Sequence, residues 1–482
     1  MSQVAAFWTA VGSYMAVACG IGLWHFRRAS REEGFHVAGR SLGPVVGGAT
    51  LMANQVSAGA TIGIVGFHYY SGLSYAWTWP LVWVGWVVCA LLVAPKIRRH
   101  AGFTLPDYFE ARYDSRAARG LSAVFVLLAY TVMLSAQYQA GGLLLTLVGG
   151  LDYTRAVVLV AAMTTVYTFL GGMYSNAYVG VLKAALLLGG YAMAVPFLWS
   201  HVGGLHGLGV ALTALDPRLT ANWFGWRQLI SISLALGLGL AAAPYEIAAI
   251  YSMQSRRATR LAIGWSFVFQ ACIGVGVLVF GLSMRVLVPH LPEPDLGTPM
   301  LGTSILPFGI GLLVLLAAVV TFTRTGGAIL LTVASAVSHD LYGTLVAPGA
   351  TDRAKVLVGR GAVLLFSAIP VALAFRQLTL VNFIVIFAGK LIVSFLFVPV
   401  VVGLNWKRAT GAGAIASMLG GLGTCVGWSL LGPAYPAGID PWEIATTVSL
   451  VLFVAVSRRT APVRQERLDV FFPADDMLST GS

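Results

Sequence analysis

The sequence predicts an all-helical membrane protein that crosses the bilayer many times, and three observations carry that prediction. Of 482 residues, 58% are hydrophobic and only 10% charged, where a soluble domain carries about 25% charged residues. Apolar stretches of roughly 20 residues, the length needed to cross a bilayer, recur about thirteen times along the chain. The charges fall in the short polar segments between them. Together these exclude a soluble enzyme, a coiled coil, a disordered regulator and a secreted disulfide module. Cys19, Cys89, Cys272 and Cys425 lie far apart in apolar runs, with neither disulfide nor zinc spacing. A net charge of +12 and a pI near 9.7 would suit a nucleic-acid binder. The placement of the charge between apolar runs instead implies anionic lipid headgroups, and no nucleic-acid partner.

Taken in order, the apolar segments cover residues 4–25, 43–67, 73–94, 120–149, 153–172, 177–199, 227–252, 259–287, 305–338, 356–374, 378–402, 409–431 and 441–457. The first has no positive flank and no cleavage pattern, so it reads as a span rather than a signal peptide. With the N-terminus outside, 22 of the 30 Lys and Arg fall in inner loops and the tail, five lie outside, and Lys183, Arg324 and Lys390 lie within spans. That bias predicts a cytoplasmic C-terminus in a cell membrane. A single transmembrane domain over 1–457 and a short tail over 458–482 follow.

Two segments are poor helices. The second packs Asn54, Gln55, Ser57, Thr61 and several glycines into mid-membrane depth, where unsatisfied polar groups cost several kcal/mol. The seventh carries Gly237-Leu238-Gly239 and then Pro244, a helix-breaking combination. They lie five segments apart. This predicts a five-plus-five inverted repeat, about 43–199 and 227–402, with a broken helix opening each half. Close helix packing by small residues is the alternative reading of the glycines.

Several short stretches resemble motifs of the sodium:solute symporter family. They are Phe35-His36-Val37-Ala38-Gly39-Arg40-Ser41-Leu42-Gly43, Thr104-Leu105-Pro106-Asp107-Tyr108 with Arg112-Tyr113, Tyr167-Thr168 with Gly171-Gly172-Met173, and Trp406-Lys407-Arg408-Ala409-Thr410 with Gly413-Ala414. Within the family, Ala334 to Tyr342 and Val181-Leu182-Lys183-Ala184 resemble the acetate and monocarboxylate permease branch. The family's common Asp three residues before Lys183 is Gly180 here.

The resemblance implies the leucine-transporter type of fold and a sodium site. Its ligands would be the carbonyls of Ala53 and Val56 and a hydroxyl pair counted back from Asp340 to positions 324 and 325. Those positions hold Arg324 and Thr325, with Thr321 one turn earlier. A guanidinium does not suit a sodium cage, and three readings of Arg324 compete. It replaces sodium as a fixed charge, it grips a substrate carboxylate as a bidentate fork, or it pairs with carbonyls of the broken helix or with Glu246. A one-turn shift would instead leave Thr321, Thr323 and Thr325 as ligands and keep sodium coupling.

Three further embedded charges invite a coupling role or a bland one: Glu246 (proton carrier or tether), Lys183 (exit path or snorkelled) and Lys390 (solute attraction or ion pair). The substrate pocket implied by the family lies between segments two, four, seven and eleven, with Gln55, Gly59, Ala60, Gly239 and Tyr245 as its lining. Gly59 and Ala60 replace the residues that bind sugar in sugar-transporting relatives, which favours a smaller solute. Phe67, Tyr69, Tyr70, Trp77 and Trp79 would form an outer gate or an interfacial belt.

What the resemblance implies is a secondary active, cation-coupled importer of a small organic solute, a monocarboxylate such as acetate first. The alternatives are a proton-coupled or ion-independent carrier of an amino acid or other metabolite, and a sensor that keeps the fold without transport. No enzyme chemistry and no cofactor beyond a sodium ion or proton is expected. Oligomeric state is left open.

Overall fold

The computed structural model describes residues 2–376, 379–430 and 438–473, so residues 474–482 of the expected tail lie outside it. Among these residues every long element is a helix, and ten helices are long and apolar enough to cross a membrane. We number the helices used below α1 (Gln3–His25), α2 (Glu32–Val37), α3 (Pro44–Gln55), α4 (Gly59–His100), α5 (Leu105–Tyr113), α6 (Arg116–Gly149), α7 (Tyr153–His201) and α8 (Trp226–Ala241). There follow α9 (Pro244–Tyr251), α10 (Arg256–Leu287), α11 (Phe308–Val346), α12 (Asp352–Ala374), α13 (Val381–Asn405), α14 (Gly411–Ser429) and α15 (Pro441–Arg459).

The difference between thirteen expected segments and ten long helices has a physical origin. The 49 residues of α7 would reach about 74 Å if straight, more than twice the hydrocarbon core. The helix therefore carries two expected spans, turned at Gly172 with φ 53° and ψ −136°. Only glycine adopts that backbone readily, and an added Cβ would sit 2.7 Å from the Phe35 carbonyl oxygen of α2. Likewise α4 carries the end of the second expected span and the whole third. The 19-residue α14 takes the place of the twelfth span but is not among the ten.

Polar caps set where many helices start. Ser115, Ser255, Thr351, Thr410 and Asp440 each accept a backbone N–H from the first turn of α6, α10, α12, α14 and α15, which satisfies donors that a helix start leaves free. In the interior, α3 packs between α7 and α10, and α11 packs along α7 and α6. The arginine-bearing loops gather at one end of the bundle. There Arg40 donates to the carbonyls of Gly102 (3.2 Å) and Tyr251 (3.4 Å), Arg408 to that of Thr460 (2.8 Å), and Arg464 to Asp114 (2.6 Å).

Candidate functional site

Both poor helices are interrupted. α3 ends at Gln55, Val56 leaves helical geometry at φ −71° and ψ 80°, and helix resumes at Ala58–Gly59. The new helix start is capped from within: Ser57 Oγ accepts the Gly59 N–H at 3.1 Å, and Gln137 Oε1 accepts the Ala58 N–H at 3.0 Å. α8 ends at Ala241, Ala243 is extended, and Pro244 occupies the first turn of α9. Proline sets this second break. The glycines before it serve packing instead, because a Cβ on Gly85 would overlap the Gly237 carbonyl where α4 crosses α8.

The first break turns the Ala53 and Val56 carbonyls toward α7 and α11, and a lysine meets them there. Lys183 Nζ donates to Ala53 O at 2.7 Å, to Val56 O, and to Thr325 Oγ1 at 3.1 Å, while Thr325 itself donates to Ala53 O at 3.1 Å. Lys183 is fully buried. Of the expected ion-site residues, Ala53, Val56 and Thr325 therefore converge. Thr321 spends its hydroxyl on Ala317 O of its own helix.

Arg324 is not the cation in this cage: of its three readings the placement in the sodium site is corrected, and pairing with the broken helix is the one its contacts match. Neighbouring positions on a helix point about 100° apart, so with Thr325 facing the break, Arg324 reaches one turn back along α3. It donates to Thr50 O (3.3 Å), to Asn176 O (3.1 Å) and to Asn54 Oδ1. Gly180 makes room for it, since a Cβ there would lie 3.3 Å from Nε and Nη2. Asn54 Nδ2 in turn donates to Tyr245 O (3.2 Å) and Glu246 Oε2 (3.4 Å), and Gln55 Nε2 donates to Glu246 Oε1 (3.3 Å). Trp86 Nε1 donates to Gln55 Oε1. Arg324 and Glu246 are thus joined through Asn54, tying the two breaks together. Lys390 lies elsewhere, paired with Asp440 at 2.5 Å at the start of α15.

Gln55, Gly59, Ala60, Gly239 and Tyr245, the five expected pocket residues, line one cavity of about 110 Å³ between the breaks. Its walls are mostly apolar, with Ile64, Val82, Met133, Leu236, Leu240, Val385 and Ile392. Ser57, Tyr75, Gln270 and Asn382 supply polar groups. Of the expected aromatic gate, Trp79 lines this cavity, while Phe67 packs on Tyr75, Phe224 and Phe383. A second pocket of about 20 Å³, room for about one water, runs from Arg324 and Asn54 to Asp340. Tyr245 borders both.

At the arginine-rich end the small pocket is closed by an ionic cluster that the sequence reading did not assemble. Arg119 binds Asp107 (2.6 Å), Asp340 (2.8 Å) and Glu110 (2.9 Å). Thr104 Oγ1 donates to Asp340 Oδ1 at 2.9 Å. His339 bridges Asp107 (2.9 Å) and Glu32, and Lys355 holds Glu32 at 3.1 Å. Burial alone would raise the Glu32 carboxyl, but the hydrogen bonds and charges of His339 and Lys355 outweigh it and hold it at about 2. His339, Arg119 and the Phe103 N–H hold the Asp107 carboxyl low against its burial. The signal lies in Thr104-Leu105-Pro106-Asp107 and His339-Asp340, two family-like motifs whose spacing does not reveal that they are partners.

The fold and the cavity at two helix breaks define a solute carrier of the inverted-repeat class. Residues 35–421 match the model of the sodium:solute symporter family, and the chain belongs to that family. Among curated proteins it is similar to the osmoregulated proline transporter OpuE of Bacillus subtilis, 26% identical over 476 residues that cover 94% of this chain and 95% of the relative. It is also similar to the high-affinity proline transporter PutP of the same organism, 27% identical over 432 residues, covering 86% and 90%. Among solved structures it matches a substrate-bound, outward-open Na+-coupled sialic acid symporter. The TM-score is 0.82 at 17% identity, covering 95% of this chain and 99% of that one. The chain is a multi-pass membrane transporter protein and not an enzyme.

Proposed function

We propose that the chain is a secondary active carrier of a compact solute bearing a carboxylate and an aliphatic body. The observation that carries this is the cavity of about 110 Å³ between the two breaks. An apolar cavity of about 150 Å³ takes benzene, six heavy atoms, so this one suits a solute of about four to six heavy atoms and is too small for a hexose. The start of the resumed helix at Ala58–Gly59 borders the cavity, and its dipole favours a negative group. The apolar walls suit the rest of the solute.

The similarity to proline transporters supports the same class. The acetate expectation rested on residues 181–184 and 334–342, and none of these lines the cavity. Lys183 instead fills the cage of the first break, and Ser335, His339 and Asp340 bond to His36, Glu32, Asp107 and Arg119. Acetate therefore becomes the comparison solute. The arginine-rich end faces the cytoplasm on this reading, by the charge bias of the loops. The halves 43–199 and 227–402 rock about the cavity. The test is uptake of labelled proline, acetate and glucose into proteoliposomes. Saturable proline uptake that excess acetate or glucose does not inhibit is expected. Uptake of acetate without proline would overturn the solute class.

A further inference from the structure

We propose that the Lys183 ammonium is a built-in replacement for the coupling sodium ion, so that this carrier binds no sodium at the first helix break. The inference rests on the carrier reading above and concerns the coupling half of the same machinery.

The geometry supplies the argument. A sodium ion at a helix break is held by oxygen lone pairs and nothing else. Lys183 Nζ meets three such oxygens: Ala53 O at 2.7 Å, Val56 O, and Thr325 Oγ1 at 3.1 Å. The Thr325 hydroxyl proton points to Ala53 O, which leaves its lone pair for the lysine. An ammonium has three donors and no acceptor, so the count of donors and acceptors closes on a cation at this point. The charge is covalently fixed and fills the position.

The surroundings agree. Gly180 stands one turn before Lys183 on α7, so that position offers no carboxylate to hold a mobile cation. In the space this leaves lies the Arg324 guanidinium, 3.3 Å from where a Gly180 Cβ would be. A mobile cation would enter beside two fixed positive charges, Lys183 and Arg324. Of these two, Glu246 is joined to Arg324 alone, through Asn54, and does not reach Lys183. At short range in a buried site that repulsion is large.

The test uses no solute, so it stands or falls separately from the solute reading. Purified wild-type protein in detergent would be incubated with ²²Na⁺ and its thermal midpoint measured in sodium chloride and in choline chloride. No saturable sodium binding and equal midpoints in the two salts are expected. Saturable sodium binding by the wild type overturns the proposal. Removing the tethered charge with Lys183→Ala should lower the midpoint in choline and give a sodium-specific recovery, because the vacated oxygens accept the ion. A lowered midpoint that sodium does not raise above choline would also overturn it, since the cage would then not be one that sodium fits. Should that variant fail to fold, the wild-type binding measurement remains decisive.

Discussion

The ionic cluster at the arginine-rich end makes a prediction whose size follows from its geometry. Asp340 is fully buried and accepts from Arg119 Nε at 2.9 Å and from Thr104 at 2.9 Å, with Arg119 Nη2 2.8 Å away. Asp340→Asn keeps the shape and an accepting oxygen but removes the charge. The Nε bond then keeps its charged donor but loses its charged acceptor, and the Nη2 contact loses its ion pair, a loss of about 1 kcal/mol apiece. Arg119 keeps Asp107 and Glu110, so the site weakens by about 2 kcal/mol rather than collapsing. The cluster joins α2, α5, α6, α11 and α12 across the mouth of the small pocket, and the loss would fall on the state closed at this end. The open state should therefore gain about 30-fold in relative population.

The assay is the rate of maleimide labelling of a cysteine at Ala248, which lines that pocket, in a background with Cys19 and Cys272 replaced by serine. Asp340→Asn should raise the rate by about the same factor. A rate within twofold of the parent, with a lowered thermal midpoint, would refute the gating argument and leave the cluster a purely structural fastening.

Further predictions concern other parts of the molecule. Asp295 lies between α10 and α11, buried, with Oδ2 accepting the Val381 N–H at 2.9 Å, and burial pushes its carboxyl up to about 6. An acid with a raised folded pKa contributes stability that is full below its unfolded value, near 3.8, and is lost as pH rises through about 6. The midpoint of Asp295→Asn relative to wild type should therefore climb between pH 4 and 7, and a constant difference would contradict this. Glu32 has the opposite sign, so its contribution is present above its ordinary value near 4.5 and disappears toward about 2. Glu32→Gln should destabilise the protein at pH 7 and make no difference near pH 2. Gly85→Ala would force α4 away from α8 and should cost about 3 kcal/mol, read as a fall in thermal midpoint; an unchanged midpoint would mean the crossing yields freely. Gln55→Ala, which removes the link from Trp86 to Glu246 at the cavity edge, should weaken proline affinity about tenfold, measured by competition binding.

The membrane class and most helix positions were legible because long apolar runs have few other physical solutions. The two breaks were legible because Asn, Gln, Ser and Pro at mid-membrane depth contradict an unbroken helix, although the exact residue that breaks α8 was not. Gly237, Gly239 and Pro244 were expected to act together, and the closeness of the glycines to Gly85 and Gly389 shows them as contact points, which leaves the break to Pro244. The embedded cations were legible as anomalies and not as partners. Sequence spacing puts positions 324 and 325 on adjacent faces, but only the packing of α7 against α3 shows which cation reaches the break. A lysine carries its charge on a four-carbon stem, so the position of its Cα says little about where the charge ends. Glu32, Asp107, Arg119, His339 and Asp340 escaped for a related reason. Four helices bring them together, and no local pattern records such a meeting.

Tyr245 belongs to the solute cavity and to the small pocket beyond it, with its ring stacked on Tyr130 and its backbone N–H held by the Tyr130 hydroxyl at 3.1 Å. One side chain is thus both furniture of the chamber and the partition to the next room. Evolution could not reshape the fit of a new cargo at this position without also resetting how well the partition seals. Selectivity and leakiness are inherited together here, and a change of diet in this lineage would have to be negotiated at the other walls first.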